Sequence, residues 1–226
     1  MFKNAMKTLG HILRNLLLIV LVLFILAFLV AGFLFYRGTT NYSVRYGAEI
    51  TAAAEKEGLS PFLVAGVVKS ESNFKADVVA DDGGVGLMQL MPEAVDWVSD
   101  RLNLDKTTLN IKDPKTNLMI GTHYLAYLLS RYQSEHLAIV AYNTGLSNVD
   151  KWLKDGTITW DSDTMDNIPA EIPRRYVRRV EQAHSVYATM YKDGLPSDSS
   201  NENPFLLTLQ NMKRTITGIW QLYICK

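Results

Sequence analysis

The sequence predicts an all-α domain that follows one membrane-spanning helix. Three observations favour this fold class. Residues 16–36 are almost wholly apolar, and beyond residue 41 apolar side chains recur at helical spacings of three and four. No long stretch alternates apolar and polar residues as a half-buried strand does. With 226 residues the chain has room for one ordinary domain and appendages, and we expect that domain over residues 41–193.

The first apolar segment, Leu16 to Phe35, contains no charged residue. At about 1.5 Å rise per residue, a helix of this length spans about 30 Å, the hydrocarbon thickness of a bilayer. A secretory signal has a shorter apolar core of about 7–15 residues, and no convincing cleavage site follows this segment. We therefore expect residues 16–36 to form an uncleaved, single-pass membrane anchor.

The charges that flank the anchor predict its orientation. Lys3, Lys7 and Arg14 precede it, whereas Arg37 alone follows closely. The positive-inside rule then places residues 1–15 in the cytoplasm and the rest of the chain outside the cytoplasmic membrane. The alternative, a cleaved export signal, also delivers the domain outside, so both interpretations predict an extracytoplasmic domain.

A buried central helix is predicted early in the domain. Ser60-Pro61 combines an N-cap residue with a proline at the first helical position. The seven residues that follow are apolar nearly all round, which is typical of a helix inside a core. The pattern ends near Glu71, so this glutamate is expected at the end of a buried helix.

Further cap signals predict the later helices. Asp113-Pro114 repeats the cap-and-proline pattern, and apolar residues then recur at helical spacing as far as Arg131. Three more helices are expected, from Ser134 to Gly145, from Ser147 to Gly156, and from Pro173 to Gly194.

A polar segment and an amphipathic segment follow the domain. Residues 194–204 are polar and contain two prolines, and we interpret them as a linker. Residues 205–226 carry apolar side chains at alternating steps of four and three, which predicts an amphipathic helix. This tail lies on the membrane or a partner, or it docks on its own domain, and the pattern favours neither.

Charge and cysteine content exclude several classes of function. Lys+Arg and Asp+Glu balance at 23 each, so the chain lacks the basic footprint of a protein that binds nucleic acid. The single cysteine, Cys225, provides neither a disulfide framework nor a cysteine-based zinc site. The four histidines show no metal-binding spacing, and we expect neither a metal nor an organic cofactor.

Four short motifs follow one another in the domain. They are Glu71-Ser72-Asn73-Phe74, Gly86-Leu87-Met88-Gln89-Leu90-Met91-Pro92, Ala141-Tyr142-Asn143-Thr144-Gly145, and Ile168-Pro169 with Arg174-Arg175-Tyr176-Val177. In this order and at these separations they closely resemble the family-one, SLT-type lytic transglycosylases. The resemblance runs from about residue 46 to 190 and implies a lysozyme-like, all-α core.

The resemblance implies cleavage of peptidoglycan glycan strands with Glu71 as the acid and base. In this family one carboxyl protonates the bond between N-acetylmuramic acid and N-acetylglucosamine, and the C6 hydroxyl of the same muramic residue then attacks. The product is a 1,6-anhydro sugar. Because intramolecular attack has a high effective molarity, no second carboxylate is needed. Burial at a helix end raises a carboxyl pKa, as an acid near neutral pH requires.

The first two motifs imply roles for Ser72, Met88 and Gln89. By the resemblance, Ser72 orients the acid or the substrate, Gln89 hydrogen-bonds the substrate, and Met88 packs against a sugar face. The alternatives are a turn residue for Ser72 and a core residue for Met88. The glycine-rich segment 83–86 is expected to form a loop whose backbone a sugar approaches closely.

The last two motifs imply that Tyr142, Asn143 and Tyr176 belong to the same cleft, both tyrosines lying near the acid. A purely structural tyrosine is the alternative in each case. One departure stands out, because the family has a Glu-Thr-Arg triplet where this chain has Ile172, Pro173 and Arg174. We therefore expect different hydrogen bonds at that point of the cleft.

Other functions were weighed against this interpretation. A hydrolytic muramidase of the goose-lysozyme kind shares the core but needs a second carboxylate, for which Asp77, Asp81 and Asp82 are candidates. A non-catalytic glycan-binding membrane protein predicts loss of the acid, yet Glu71 is present. A small membrane protein without a cell-wall role does not account for the motifs. The partners that this interpretation implies are the glycan strands of peptidoglycan and the cytoplasmic membrane.

Overall fold

The computed structural model describes residues 2–160 and 168–197, together with Leu209, Met212 and Lys213. In the described ranges the regular elements are all helices, and the strand-like pairing consists of two isolated bridges, Val79 with Val85 and Val85 with Leu90. The predicted all-α class is therefore confirmed. The described residues up to 197 fall into two compact units, one within residues 2–43 and one within residues 44–197.

The first unit contains helix α1, which runs from Phe2 to Asn41. Its segment Gly10–Gly38 is long enough and apolar enough to cross a membrane, and none of its most apolar window is buried in the protein. The predicted anchor, residues 16–36, lies within this segment. Of the predicted linker and tail, residues 194–197, Leu209, Met212 and Lys213 are described, and the other residues lie outside the described part of the chain.

The second unit contains seven helices in its described part. They are α2 (Gly47–Lys56), α3 (Pro61–Glu71), α4 (Pro92–Leu102), α5 (Pro114–Tyr132), α6 (Glu135–Thr144), α7 (Leu146–Lys154) and α8 (Glu171–Met190). The centre of the unit is α3, whose residues 63–68 are all buried. As the apolar sequence predicts, this helix has no solvent-facing stripe over those six residues.

Gly66 lets α3 and α8 lie unusually close together. A Cβ atom at this position would stand 3.0 Å from the carbonyl oxygen of Val180 and 3.1 Å from the backbone nitrogen of His184. Any larger residue would push the two helices apart, because backbone atoms cannot move aside as side chains do. This close packing brings the last residue of α3, Glu71, against the beginning of α8.

Three helix predictions agree with the structure. The helix α3 begins at Pro61 and ends at Glu71, and α5 and α6 lie within one residue of their predicted ends. Asp113 and Ser134 act as the expected caps, since their side chains accept hydrogen bonds from backbone N–H groups. Ser60 occupies the N-cap position of α3, but its hydroxyl lies 3.4 Å from His184 Nε2 instead of capping the helix.

The two ends of α7 and of α8 differ from the prediction. The helix α7 was expected from Ser147 to Gly156, but it runs from Leu146 to Lys154. Its N-cap position is occupied by Gly145 and not by Ser147. The helix α8 starts at Glu171, two residues before Pro173, and ends at Met190. Proline is tolerated anywhere in a first helical turn, where N–H groups lack helical partners, so it does not fix the first residue.

Candidate active site

Glu71 and Tyr176 meet where α3 packs on α8. The hydroxyl of Tyr176 donates a hydrogen bond of 2.6 Å to Oε1 of Glu71. Tyr176 is 1% exposed, whereas Glu71 keeps part of its side chain accessible. A carboxyl at the end of a buried helix is thus held by a buried phenol while it still reaches solvent.

Burial raises the pKa of Glu71 to about 7. The hydrogen bond from Tyr176 and the positive charge of Arg179 lower this pKa, and the negative charge of Asp82 raises it further, but the effect of burial is the largest. Burial acts in this way because a charged carboxylate loses hydration that a neutral carboxyl does not need. Near neutral pH the group is therefore present in both forms, and it can release a proton and take one back.

An open cleft of about 320 Å³ lies beside Glu71. Its lining residues are Asp82, Gln89, Leu90, Met91, Glu93, Ala94, Tyr124, Tyr142, Asn143, Thr144 and Gly145. Glu71 is not one of them, but two lining residues interact with it electrostatically. Asp82 raises its pKa, and burial followed by the charge of Glu71 raises the pKa of Tyr142. The carboxyl is thus within electrostatic range of the cleft lining at these two residues.

Asn117 holds the loop that forms one wall of the cleft. Its Oδ1 accepts a hydrogen bond of 2.8 Å from the backbone of Met88, and its Nδ2 donates to the carbonyl oxygens of Val85 and Ile111 at 2.9 Å each. Asn117 is fully buried; its bond from Met88 is buried as well, and the two bonds that its Nδ2 donates are partly buried. A Cβ atom at Gly86 would overlap this side chain. Gly86 therefore leaves room for Asn117, and the close approach of a sugar to the backbone of segment 83–86 stays a prediction.

Ser72 and Tyr142 hold the same loop from two other sides. The hydroxyl of Ser72 donates to the carbonyl oxygen of Leu87 at 2.8 Å, and that of Tyr142 donates to the carbonyl oxygen of Met88 at 2.8 Å. Ser72 is 7% exposed and contacts the loop rather than open cleft. Because Ser72 directly follows Glu71, its bond fixes the loop relative to the carboxyl.

Gln89 lies in the cleft with its amide turned to the loop. Its Nε2 donates to the carbonyl oxygen of Gly86 at 2.8 Å and to that of Val78 at 3.3 Å. Its backbone is in the left-handed region, with φ 46°. The side chain supports the loop conformation, and the hydrogen bond to substrate that the sequence suggests stays a prediction.

Met88 is wrongly predicted as a residue that packs against sugar. It is 0% exposed and lies under Gly121, where a Cβ atom would overlap its sulfur. A side chain enclosed in this way cannot touch a ligand. Met91, three residues later, is 38% exposed and lines the cleft. The sequence contains two methionines around Gln89 and offers no local signal that distinguishes the buried one.

The remaining predicted residue, Asn143, is exposed in the cleft. Sequence reasoning did not single out Glu93 and Tyr124, which line the cleft, or Arg179, whose charge acts on Glu71. Arg179 follows Tyr176 by one helical turn, and its guanidinium carbon lies 5.8 Å from the centroid of that ring. Within residues 2–160 and 168–197, no group of three potential metal ligands is close enough to hold an ion.

The sequence of residues 49–159 matches the profile of the transglycosylase SLT domain. The soluble lytic murein transglycosylase of Salmonella typhimurium is 26% identical over 176 residues, which cover 75% of this chain and 27% of that protein. A transglycosylase of Enterobacteria phage PRD1 is 31% identical over 126 residues, with 56% and 44% covered. The membrane-bound lytic murein transglycosylase E of Buchnera aphidicola is 30% identical over 125 residues, with 51% and 57% covered.

Solved structures agree with these sequence relatives. An inactive glutamate-to-glutamine mutant of the lytic transglycosylase Slt from Pseudomonas aeruginosa matches with a TM-score of 0.58 and 28% identity, covering 67% of this chain and 25% of that one. The 70 kDa soluble lytic transglycosylase from Escherichia coli matches with a TM-score of 0.57 at 23% identity, which shows the shared fold, and covers 67% of this chain and 25% of that one.

The chain spans between about a quarter and just over half of the length of these curated relatives. The similarity therefore concerns a shared domain rather than whole proteins. That domain contains α2 to α7, the loop held by Asn117, and the cleft beside Glu71. Over residues 49–159 the chain is therefore similar to the transglycosylase SLT domain that these lytic murein transglycosylases share.

Proposed function

We propose that this protein is a membrane-anchored peptidoglycan lytic transglycosylase. It cleaves the β-1,4 bond between N-acetylmuramic acid and N-acetylglucosamine and leaves a 1,6-anhydromuramic end. One observation carries the proposal: the carboxyl of Glu71, with a pKa near 7, is held by Tyr176 beside an open cleft. The names of the relatives, lytic murein transglycosylases, agree with it.

In the first step Glu71 acts as the acid. Its proton passes to the glycosidic oxygen, the bond from that oxygen to C1 of the muramic residue breaks, and the oxygen leaves as the hydroxyl of N-acetylglucosamine. Positive charge develops at C1 while Glu71 becomes a carboxylate. The hydrogen bond from Tyr176 and the charge of Arg179 both stabilise that carboxylate.

In the second step Glu71 acts as the base. The C6 hydroxyl of the muramic residue attacks C1, its oxygen forms the new bond, and its proton returns to Glu71. The enzyme is restored, no water is consumed, and the glycosidic bond to N-acetylglucosamine has been exchanged for an internal glycosidic bond between C1 and O6. A pKa near neutral suits both steps, since a much lower value weakens the acid and a much higher value hinders its ionisation.

The other site residues divide into two groups by their contacts. Tyr176, Tyr142 and Ser72 position the acid and the loop beside it through the hydrogen bonds they donate. Gln89 and Asn143, with Met91 in place of Met88, are proposed to contact the sugar, because all three line the cleft.

The proposed location follows from α1 and from the membrane-bound relatives. Residues 1–15 lie in the cytoplasm, and residues 16–36 cross the cytoplasmic membrane once. Residues 41–193 form the catalytic domain outside, next to the wall that it cuts. Residues 194–204 then serve as a linker, and residues 205–226 as an amphipathic tail.

The test uses the full chain in detergent micelles, purified peptidoglycan, and mass analysis of the products. Wild-type protein is expected to release anhydromuropeptides and Glu71→Gln to release none. Glu55→Gln, a matched change at an exposed glutamate on α2, is expected to behave as wild type. Anhydromuropeptides from Glu71→Gln, or none from the folded wild type, would overturn the proposal.

A hydrolytic muramidase is the second candidate, and the position of Asp82 favours it. Among the three aspartates considered as a second carboxylate, Asp82 alone lines the cleft, and its charge acts on Glu71. A hydrolase would add water across the bond and leave a reducing end. Digestion in H₂¹⁸O separates the candidates, because hydrolysis incorporates one labelled oxygen per cut and the anhydro product contains none.

A further inference from the structure

A row of aromatic side chains leads away from the cleft. Tyr124 lines the cleft, and its ring centroid is 5.9 Å from that of Tyr142. Trp97 follows at 5.8 Å from Tyr124, and Tyr127 lies 4.3 Å from Trp97. We call Tyr124, Trp97 and Tyr127, together with the adjacent Arg101, the aromatic ridge.

The ridge continues the cleft because of helical spacing on α4 and α5. Ala94 lines the cleft, and Trp97 stands three residues further along α4, on the same face. Tyr127 likewise stands three residues after Tyr124 on α5. All three rings are partly exposed. A strand that leaves the cleft past Tyr124 therefore meets Trp97 and Tyr127 next.

Arg101 adds polar groups to this surface. It is exposed, and its guanidinium carbon lies 4.0 Å from the ring centroid of Trp97 and 5.3 Å from that of Tyr127. A guanidinium stacked on a ring keeps its N–H donors at its outer edge, where hydroxyl or carbonyl oxygens can accept from them. It makes no ion pair with a described carboxylate, so these donors are not committed to one.

This combination suits a carbohydrate. One face of a pyranose ring presents C–H groups that pack on an aromatic ring, and its rim presents hydroxyl groups that need donors. The occupant is the glycan strand in the cleft, since a polymer cut at Glu71 must extend beyond it.

We propose that the aromatic ridge is a second glycan-binding site, which holds sugar residues of the same strand away from the bond that is cut. The inference rests on the proposed function. Such a second site makes the enzyme prefer long strands, because a short oligosaccharide fills the cleft without reaching Trp97. Binding at the ridge adds affinity for long strands without a change in the chemistry at Glu71.

The test compares two substrates and two kinds of variant in the full-length protein. For Arg101→Gln and Trp97→Leu, kcat/KM is expected to fall about threefold to tenfold on long glycan strands, as loss of one aromatic or cation–π contact predicts. On a muropeptide tetrasaccharide, kcat/KM is expected to stay within twofold of the wild-type value, because this short substrate does not use the same contacts. Arg178→Gln is the matched control, because Arg178 is also an exposed arginine but lies on α8, which contributes no residue to the ridge.

Binding gives a readout that does not depend on turnover. In a Glu71→Gln background, co-sedimentation with long strands is expected to weaken when Arg101→Gln is added. An equal loss of kcat/KM on both substrates, or no loss on either substrate with folded protein, overturns the proposal that the ridge binds glycan. If Trp97→Leu lowers the Tm, the exposed Arg101→Gln carries the test. Failure of the proposed function is distinct, since the wild type would then yield no anhydro product from either substrate.

Discussion

Tyr176 donates a hydrogen bond of 2.6 Å to Glu71 across a separation of 105 residues. The bond opposes the effect of burial, because a donor stabilises the carboxylate more than the neutral carboxyl. The balance leaves the pKa of Glu71 near 7 instead of higher still. This pairing of a buried phenol with a half-buried carboxyl is the feature from which the pH behaviour of the site follows.

The first prediction concerns the pH dependence of cleavage. Glu71 must be protonated to begin the reaction, so kcat/KM is expected to fall as the pH rises through about 7. An ordinary glutamate would lose its proton near pH 4.5 and place the fall there. Initial rates on a soluble muropeptide between pH 4 and 9 measure it, and a fall centred below pH 5.5 would contradict the assignment of Glu71 as the acid.

The second prediction concerns Tyr176→Phe. Loss of the hydroxyl removes a bond that lowers the pKa of Glu71, so the alkaline fall in activity is expected to move to higher pH. The rate at its optimum is expected to drop by about tenfold to a hundredfold, since one charge-assisted hydrogen bond contributes about 1.5–3 kcal/mol.

Tyr132→Phe provides the control for that experiment. Tyr132 also donates a partly buried hydrogen bond to a carboxylate, that of Asp150. It lies at the end of α5 and does not line the cleft. Its pH profile is expected to match the wild type. A profile for Tyr176→Phe that also matches the wild type would mean that the bond to Glu71 does not influence the reaction.

The third prediction uses the two opposite charges near Glu71. Asp82→Asn removes a charge that raises its pKa, so the alkaline fall is expected at lower pH, whereas Arg179→Gln is expected to move it to higher pH. Arg178→Gln is the matched control, because Arg178 is also exposed and is not among the charges that act on Glu71. Shifts of the same sign in both variants would contradict this account.

Local signals in the sequence predicted the helices that have a cap residue followed by a run of apolar side chains. Asp113 and Ser134 are examples, since a cap acts on backbone groups only three residues away. Glycine and proline were weaker guides to α7 and α8. Both residues permit several positions at a helix end, and the neighbouring helices decide among them.

The site itself required the family resemblance. No local pattern links Glu71 with Tyr176, because only the packing of α3 on α8 brings them together. The same limit explains the error at Met88 and the omission of Met91. Which methionine is enclosed depends on how Asn117 folds the loop, and that contact joins residues 29 positions apart.

The fourth prediction concerns Asn117→Ala. The substitution leaves the backbone N–H of Met88 and the carbonyl oxygens of Val85 and Ile111 without their buried partner. Each unsatisfied group costs about 1–3 kcal/mol, so a loss of about 3 kcal/mol in the free energy of unfolding is expected, together with loss of activity.

Asn148→Ala is the control for Asn117→Ala. Asn148 also donates its amide to a backbone oxygen, that of Thr144 at 2.7 Å, but it is exposed. Water replaces the lost partner there, so a change below about 1 kcal/mol is expected. Urea unfolding followed by tryptophan fluorescence compares the two, and equal effects would show that burial of Asn117 does not matter.

The last prediction concerns the stability of Glu71→Gln. The pKa of Glu71 is raised in the folded protein, so folding disfavours its ionised form. Below about pH 4.5 the carboxyl is protonated in both states and costs nothing. As the pH rises from 4.5 to 7, the unfolded state ionises first and the wild type loses stability; above 7 the full loss is present.

The pKa of Glu71 rises from 4.5 to about 7, and at about 1.36 kcal/mol per pKa unit this corresponds to a loss of about 3 kcal/mol in the free energy of unfolding. Partial exposure of the carboxyl reduces this loss to about 2 kcal/mol. Glutamine does not ionise, so Glu71→Gln is expected to gain about 2 kcal/mol over the wild type between pH 4 and 8. Thermal unfolding at both pH values measures the gain. For Glu55→Gln, the difference in stability from the wild type should not increase with pH. If the difference for Glu71→Gln also stayed constant with pH, burial would not hold the proton on Glu71.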